Sequence, residues 1–159
     1  MPKIYTRTGD SGESSIKDER LRKDALVFDV LGTLDELNSW LGWLRVEPSL
    51  EVQLDERAKA MLESVQSALI DLSADLAGYG SFSTALLPAL EGEIDRLTLD
   101  APFRLCLPAG RIHIARTVCR RAERRLVSLS PSHAGLPFVN RLSDYLYVLA
   151  ESSRKDLIR

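Results

Sequence analysis

Histidine, cysteine and long apolar runs are scarce in this chain, and each scarcity removes a class of function. Two histidines, His113 and His133, and two cysteines, Cys106 and Cys119, stand among 159 residues. The histidines are isolated, one in a helical stretch and one in a loop-like stretch; that makes a poor metal site, and both read as structural. No Ser-His-Asp or Cys-His arrangement is legible. Cys119 falls on an apolar stripe, where it reads as core rather than nucleophile. The two cysteines could pair, but a reduced, cytoplasmic chain is the more economical reading. No apolar run approaches the roughly 20 residues that span a bilayer. Met1-Pro2-Lys3-Ile4-Tyr5 lacks the apolar core of a secretory signal, so neither membrane insertion nor export is expected. Glycine and proline, at 9 and 7 residues, are too few for a fibrous or low-complexity chain. A formal net charge of −2 argues against a general nucleic-acid binder, which is usually basic over its whole domain.

What is present is helical periodicity. With 45% hydrophobic residues the chain suits one domain with a real core, spanning 1–159. Residues 1–24 show no sustained period and read as a polar loop arm, with an extended start at Lys3–Tyr5. Beyond it, 25–159 read as a helical bundle. Val30, Leu34, Leu37, Leu41 and Leu44 alternate spacings of four and three from about Asp24 to Val46. From about Leu50 to Tyr79, Leu54, Ala58, Met61, Val65, Ala68, Leu72 and Leu76 keep the same alternation. Pro88 suits the first turn of a shorter helix carrying Leu87, Leu90, Ile94 and Leu97. Two more stripes follow, Ala115, Cys119, Ala122, Leu126 and Leu129 over Arg111–Leu129, then Val139, Leu142, Leu146 and Leu149 from Leu136 to about Ile158. Such spacings put the apolar groups on one face of each helix, and several helices so patterned pack as a bundle at shallow angles. The expected fold is all-α, four long helices and one shorter, with an N-terminal loop arm.

Six arginines fall between Arg111 and Arg125, with no lysine among them. Arg116, Arg120 and Arg124 recur every four residues along one side of their helix, and Arg121 and Arg125 form an adjacent row. Like charges at that spacing repel unless an anion neutralises them. Arginine's planar fork suits carboxylate and phosphate oxygens. An ordinary solvated face, with Glu123 pairing locally, is the competing reading.

Three other places carry polar chemistry. Thr6-Arg7-Thr8-Gly9-Asp10-Ser11-Gly12, with Ser14 beyond, offers hydroxyls and backbone N–H groups that can form an anion nest. It is not a Walker A loop, since no Gly-Lys-Ser/Thr follows. Thr-Gly-Asp is equally an ordinary turn, and Asp10 could contact a metal ion or a ribose. Lys23-Asp24 could be a phosphate contact followed by a helix cap, or plain surface. Asp35, beside the stripe residue Leu34, reads either as a capped surface acid or as a partly buried one that answers an arginine within the chain or across a subunit boundary. Asn140, at the edge of the last stripe, could read an adenine edge or cap its helix.

Taken in order, Tyr5 to Gly12, Arg22-Lys23-Asp24, Gly32 to Ser39, Ala115 to Arg124 and Asn140 to Leu146 resemble the ATP:cob(I)alamin adenosyltransferases of the PduO type. The resemblance runs from about Lys3 to Ala150. It implies a five-helix bundle assembled as a homotrimer, with each active site between two subunits. The implied reaction moves the adenosyl group of ATP to reduced cobalamin and releases triphosphate, usually with Mg²⁺. By matching motif positions, Thr6, Arg7, Thr8, Gly9, Ser14 and Lys23 would line the nucleotide, and Arg120, Arg121, Ala122, Glu123, Arg124 and Asn140 would complete its pocket. Arg120 would act in catalysis, and Asp35 and Arg116 would form a salt bridge spanning the subunit boundary. The same resemblance implies a flavoprotein reductase and an adenosylcobalamin-dependent enzyme as partners, and no nucleic acid or membrane.

The chain departs from the family before its arginine helix. Where the family has Phe-Ile-Leu-Pro-Gly-Gly-Ser and several more residues, this chain has Leu105-Cys106-Leu107-Pro108-Ala109-Gly110-Arg111, about five residues shorter. Leu105 takes the place of a phenylalanine that lies on the corrin's lower face. The alternative readings are an ATP-binding regulatory or corrinoid-handling trimer with weak or no transferase activity, and a helical module whose arginine face binds an acidic protein or RNA.

Overall fold

In a computed structural model, residues 3–46, 54–98 and 107–155 are described. A small antiparallel hairpin, β1 (Glu13–Ile16) and β2 (Glu19–Arg22), precedes α1 (Leu26–Val46), α2 (Glu56–Leu76), α3 (Leu87–Thr98), α4 (Arg111–Leu129) and α5 (Leu136–Lys155). A short 3-10 turn, Thr84–Leu86, leads into α3. The expected starts of α2 near Leu50 and end of α5 near Ile158 fall outside the described residues, and α2 ends at Leu76 rather than Tyr79.

The helices form because their apolar stripes meet. Val30, Leu34, Leu37 and Leu41 of α1 are fully buried, as are Ala115, Cys119, Ala122 and Leu126 of α4 and Val139, Leu142 and Leu146 of α5. On α2 the predicted stripe is slightly off register. Leu62 and Leu69 lie at the centre of the buried face, while Met61 and Ala68 only lean on it. Helix α4 packs between α1 and α5, α2 covers the other flank of α1, and α3 covers α5. Asp55 caps α2 by accepting from Ala58 N at 2.7 Å, satisfying one of the helix's orphan donors. The turn joining α4 to α5 lies so close to α2 that a Cβ on Gly135 would sit 2.5 Å from Leu72 Cδ1, so any larger residue there would force the Leu72 side chain to shift.

The arm is not the loop expected from sequence. Glu13 pairs with Arg22 and Ile16 with Glu19 around a two-residue Lys17-Asp18 turn, in which Lys17 adopts a left-handed φ of 52°. That conformation matches the strand twist, but the usual Asn-Gly or Asp-Gly signal is missing. The hairpin is anchored at its tip, where Lys17 N donates to the Tyr79 hydroxyl at 2.6 Å, and braced by Arg20 Nε donating to Glu13 at 2.7 Å. Residues 3–12 carry no regular secondary structure, so the extended start at Lys3–Tyr5 is not a strand.

Candidate active site

Helix α4 sorts its six arginines by direction. Arg121 pairs with Glu36 and Arg125 with Asp29, both across to α1, and the Arg111 guanidinium lies 4.5 Å from the Trp43 ring centroid. Asp29, Glu36 and Trp43 ascend α1 as Arg125, Arg121 and Arg111 descend α4, so the two helices run antiparallel. Arg120 and Arg124 lie about 100° further round the helix from that row. Both are exposed, and among the described residues neither guanidinium has a carboxylate partner; Arg124 Nη1 donates only to the Arg120 carbonyl, at 3.2 Å. Arg116, half-buried, donates from Nε to His113 Nδ1 at 3.2 Å.

The neighbouring helix completes this outward face. Asn140, on α5, donates from Nδ2 to Glu123 Oε1 at 2.8 Å and accepts from Arg141 Nη1 at 2.8 Å. It therefore does not cap its helix, and Glu123 answers Asn140 rather than a neighbouring arginine. Ala122 is fully buried among the core side chains, so its methyl group does not reach the outward face. Of the two readings of Asp35, the surface position holds and the partial burial does not. The residue is exposed, because its position is one past Leu34, turned away from the core; among the described residues of its own chain it has no ion-pair partner.

The arm brings its predicted residues to the start of α1. Arg7 holds a left-handed φ of 62°, a conformation that costs a non-glycine residue energy and often marks a functional turn. Thr6 and Thr8 share a hydroxyl hydrogen bond of 2.8 Å, and Arg20 Nη2 donates to the Thr8 carbonyl at 2.5 Å. Lys23 Nζ donates to the Gly9 carbonyl at 2.9 Å. A Cβ on Gly9 would meet that same Nζ at 2.9 Å, so the glycine makes the approach possible. Ser14 lies in β1 opposite Leu21. Asp24 pairs with Arg22 through two hydrogen bonds, at 3.0 and 2.6 Å, which holds its carboxyl below the usual carboxylate range.

Between the base of the arm, α1 and α4 opens a cleft of about 670 Å³, lined by Lys23, Asp24, Phe28, Asp29, Gly32, Thr33, Glu36, Arg121 and Arg125. Of the predicted nucleotide residues, only Lys23 and Arg121 line it. Thr6, Arg7, Thr8 and Gly9 belong to the arm beside it, and Arg120, Arg124 and Asn140 face outward from the α4–α5 side. Within one chain the predicted set is thus split into two separate groups. Sequence reading missed Asp29 and Glu36 as the partners of Arg125 and Arg121. Their spacing of seven residues along α1, two turns on one side, was the available signal.

Cys119 answers the question of a nucleophile. Its thiol is fully buried and donates to the Val139 carbonyl at 3.3 Å, and burial raises its pKa far above the ordinary value. Thiolate, not thiol, is the reactive form. Iodoacetamide treatment of the folded protein, followed by peptide mapping, is therefore expected to leave Cys119 unmodified, with full modification after denaturation. Cys106 lies outside the described residues.

The chain is a helical bundle with a glycine-hydroxyl arm at one end of a cleft and an arginine row on α4 that, among the described residues, lacks carboxylate ion-pair partners; both features suit phosphate oxygens. The comparisons make the family specific. The sequence matches the family described as cobalamin adenosyltransferase over residues 4–153. It is 37% identical to the corrinoid adenosyltransferase of Bacillus subtilis, over 93% of this chain and 84% of that one. It is 38% identical to human corrinoid adenosyltransferase MMAB, over 94% of this chain and 68% of that one. The fold matches a variant PduO-type ATP:corrinoid adenosyltransferase from Lactobacillus reuteri complexed with cobalamin and ATP, with a TM-score of 0.83, 33% identity, and coverage of 96% of this chain and 94% of that one. The chain belongs to the PduO-type cobalamin adenosyltransferase family. Among the described residues no helix is long and apolar enough to cross a membrane.

Proposed function

We propose that this protein transfers the 5′-deoxyadenosyl group of ATP to cob(I)alamin, giving adenosylcobalamin and triphosphate, at a site completed by a neighbouring copy of the chain in a trimer. The observation that carries this reading is the outward Arg120–Arg124 row, which among the described residues makes no ion pair with a carboxylate. Family membership, with ATP and cobalamin together on a solved relative, supplies the chemistry.

Cobalt(I) is itself a strong nucleophile, so the reaction needs no protein base. The cobalt electron pair attacks the ribose C5′, a cobalt–carbon bond forms, and the C5′–O bond breaks with its electron pair leaving on the triphosphate. The protein's tasks are to hold C5′ in line with cobalt and to stabilise the charge gathering on the leaving group. In this reading Thr6, Arg7, Thr8, Gly9 and Ser14 cradle phosphates from the arm, and Lys23 turns from the Gly9 carbonyl toward them. Arg120 and Arg124 of the adjoining half-site stabilise the departing triphosphate. Asn140, already fixed by Glu123 and Arg141, places the nucleotide, and Asp35 of one copy meets Arg116 of the next.

Mg²⁺ commonly takes one or two carboxylates together with substrate phosphates and water. Among the described residues no three His, Cys, Asp or Glu side chains gather into a metal cluster, while the arm supplies the exposed carboxylate of Asp10. That donor set fits an ion carried mainly on the triphosphate. When bound, Mg²⁺ would neutralise part of the phosphate charge that the arginines face.

The test is direct. The protein, ATP, Mg²⁺ and chemically reduced cob(I)alamin should yield adenosylcobalamin and triphosphate in equal amounts. Leu105 in place of the family's phenylalanine favours one alternative, a corrinoid-handling ATP binder. That alternative predicts ATP binding that depends on Arg120, with no product.

A further inference from the structure

We propose that His113 is a positioning residue for Arg116, and that it presents the arginine's two terminal nitrogens, end-on, to the carboxylate it meets across the subunit boundary. The proposal rests on the reading above, in which Arg116 serves the site. His113 sits in the first turn of α4 and is 3% exposed. Arg116, one turn later, donates from Nε to His113 Nδ1 at 3.2 Å. A guanidinium has donors only, so Nδ1 must be the unprotonated nitrogen of the imidazole and the proton must sit on Nε2. That Nε2 lies 3.4 Å from Glu151 Oε1. The ring edge also abuts Tyr147, with centroids 6.4 Å apart and planes at 64°. Glu151 and Tyr147 both belong to α5, so the last helix fixes the imidazole and the imidazole fixes the arginine.

The consequence is geometric. A guanidinium can grip a carboxylate side-on, through Nε and one Nη, or end-on, through both Nη atoms. Here Nε is engaged within the chain, and among the described residues neither Nη has a partner. Only the end-on fork remains for an incoming carboxylate. A free arginine side chain loses up to about 2 kcal/mol of rotamer freedom when it is immobilised; the His113 contact settles much of that before assembly and orients the fork outward. A histidine buried beside an arginine is otherwise hard to rationalise, since two cationic groups in contact repel. A neutral imidazole with a specified tautomer resolves the difficulty. This is the logic by which outer-shell partners orient metal ligands, applied to a charged side chain.

The test uses His113→Asn, His113→Phe and Arg116→Ala in the full chain. Asparagine Oδ1 can stand where Nδ1 stood, whereas phenylalanine keeps the ring and loses the acceptor. Arg116→Ala should lower kcat/KM. His113→Phe should lower it by about 10- to 100-fold, the range seen when an orienting partner is removed. His113→Asn should remain within about threefold of the unmodified protein, and His113→Phe should add little loss on top of Arg116→Ala. Without substrate, the ¹⁵N resonance of His113 Nδ1 should be of the unprotonated type and should move in Arg116→Ala. Equal losses in His113→Asn and His113→Phe, or a protonated Nδ1, overturn the proposal. Failure of the unmodified protein to form adenosylcobalamin overturns the transferase reading instead, because the nitrogen resonance is read without any substrate.

Discussion

Arg120→Ala is expected to lower adenosyl transfer by about 10²- to 10³-fold, the cost of removing one donor aimed at developing negative charge, with the thermal midpoint unchanged. Arg121→Ala, one residue away, is expected to do nearly the reverse. The reason is the orientation of α4. Arg121 spends its charge on Glu36 within the chain, and the pair is more than a third exposed on both sides. Its loss is worth at most about 1 kcal/mol, since exposed ion pairs are screened by water. A protein of this size then loses roughly 2–4 °C in Tm. Among the described residues Arg120 makes no such ion pair, so its removal should leave the fold intact and disturb what depends on an external anion. Steady-state kinetics and thermal melts of the two variants, run side by side, check the claim. If both lose transfer equally, the division of the arginines into structural and ligand-facing rows is wrong.

That division was only half legible in the sequence. The 4-residue recurrence of Arg116, Arg120 and Arg124 could be read from spacing, because helix geometry alone places them on one side. Which side faces solvent depends on where α1 and α5 pack, and no local pattern in α4 states that. The bounds of α4 were legible, since its apolar stripe runs unbroken to Leu129 and the Pro131–Gly135 stretch breaks it there. The hairpin was not. Its strands are four residues each and heavily charged, its turn is Lys-Asp, and its anchor is a tyrosine far along the chain. Short strands held by a distant contact leave little periodicity to find. Glu93 was missed for a related reason. It sits inside the stripe of α3, 4% exposed, and is tolerated there because Arg57 Nε at 2.6 Å and Arg96 Nε at 3.0 Å both engage it. A buried charge needs such partners, and the partners come from two different helices.

The exposure of Asp35 bears on the remaining prediction. An aspartate and an arginine fork that, among the described residues, have no ion-pair partner in their own chain are complementary halves. Arg116→Asp should therefore weaken both assembly and transfer, by about 3–5 kcal/mol if the pair is buried between copies, because an unpaired carboxylate is left facing another. Asp35→Arg alone should do the same. The double change, Asp35→Arg with Arg116→Asp, restores opposite charges across the boundary and should recover much of the assembly, measured by sedimentation. Recovery of transfer should be smaller. The exchanged aspartate is shorter than arginine, and it cannot donate to His113 Nδ1, so the imidazole loses the contact that fixed its tautomer. Assembly rescued with transfer still depressed would separate the two roles of the pair, attraction between copies and orientation of the site. If the double change recovers neither, Asp35 and Arg116 do not meet.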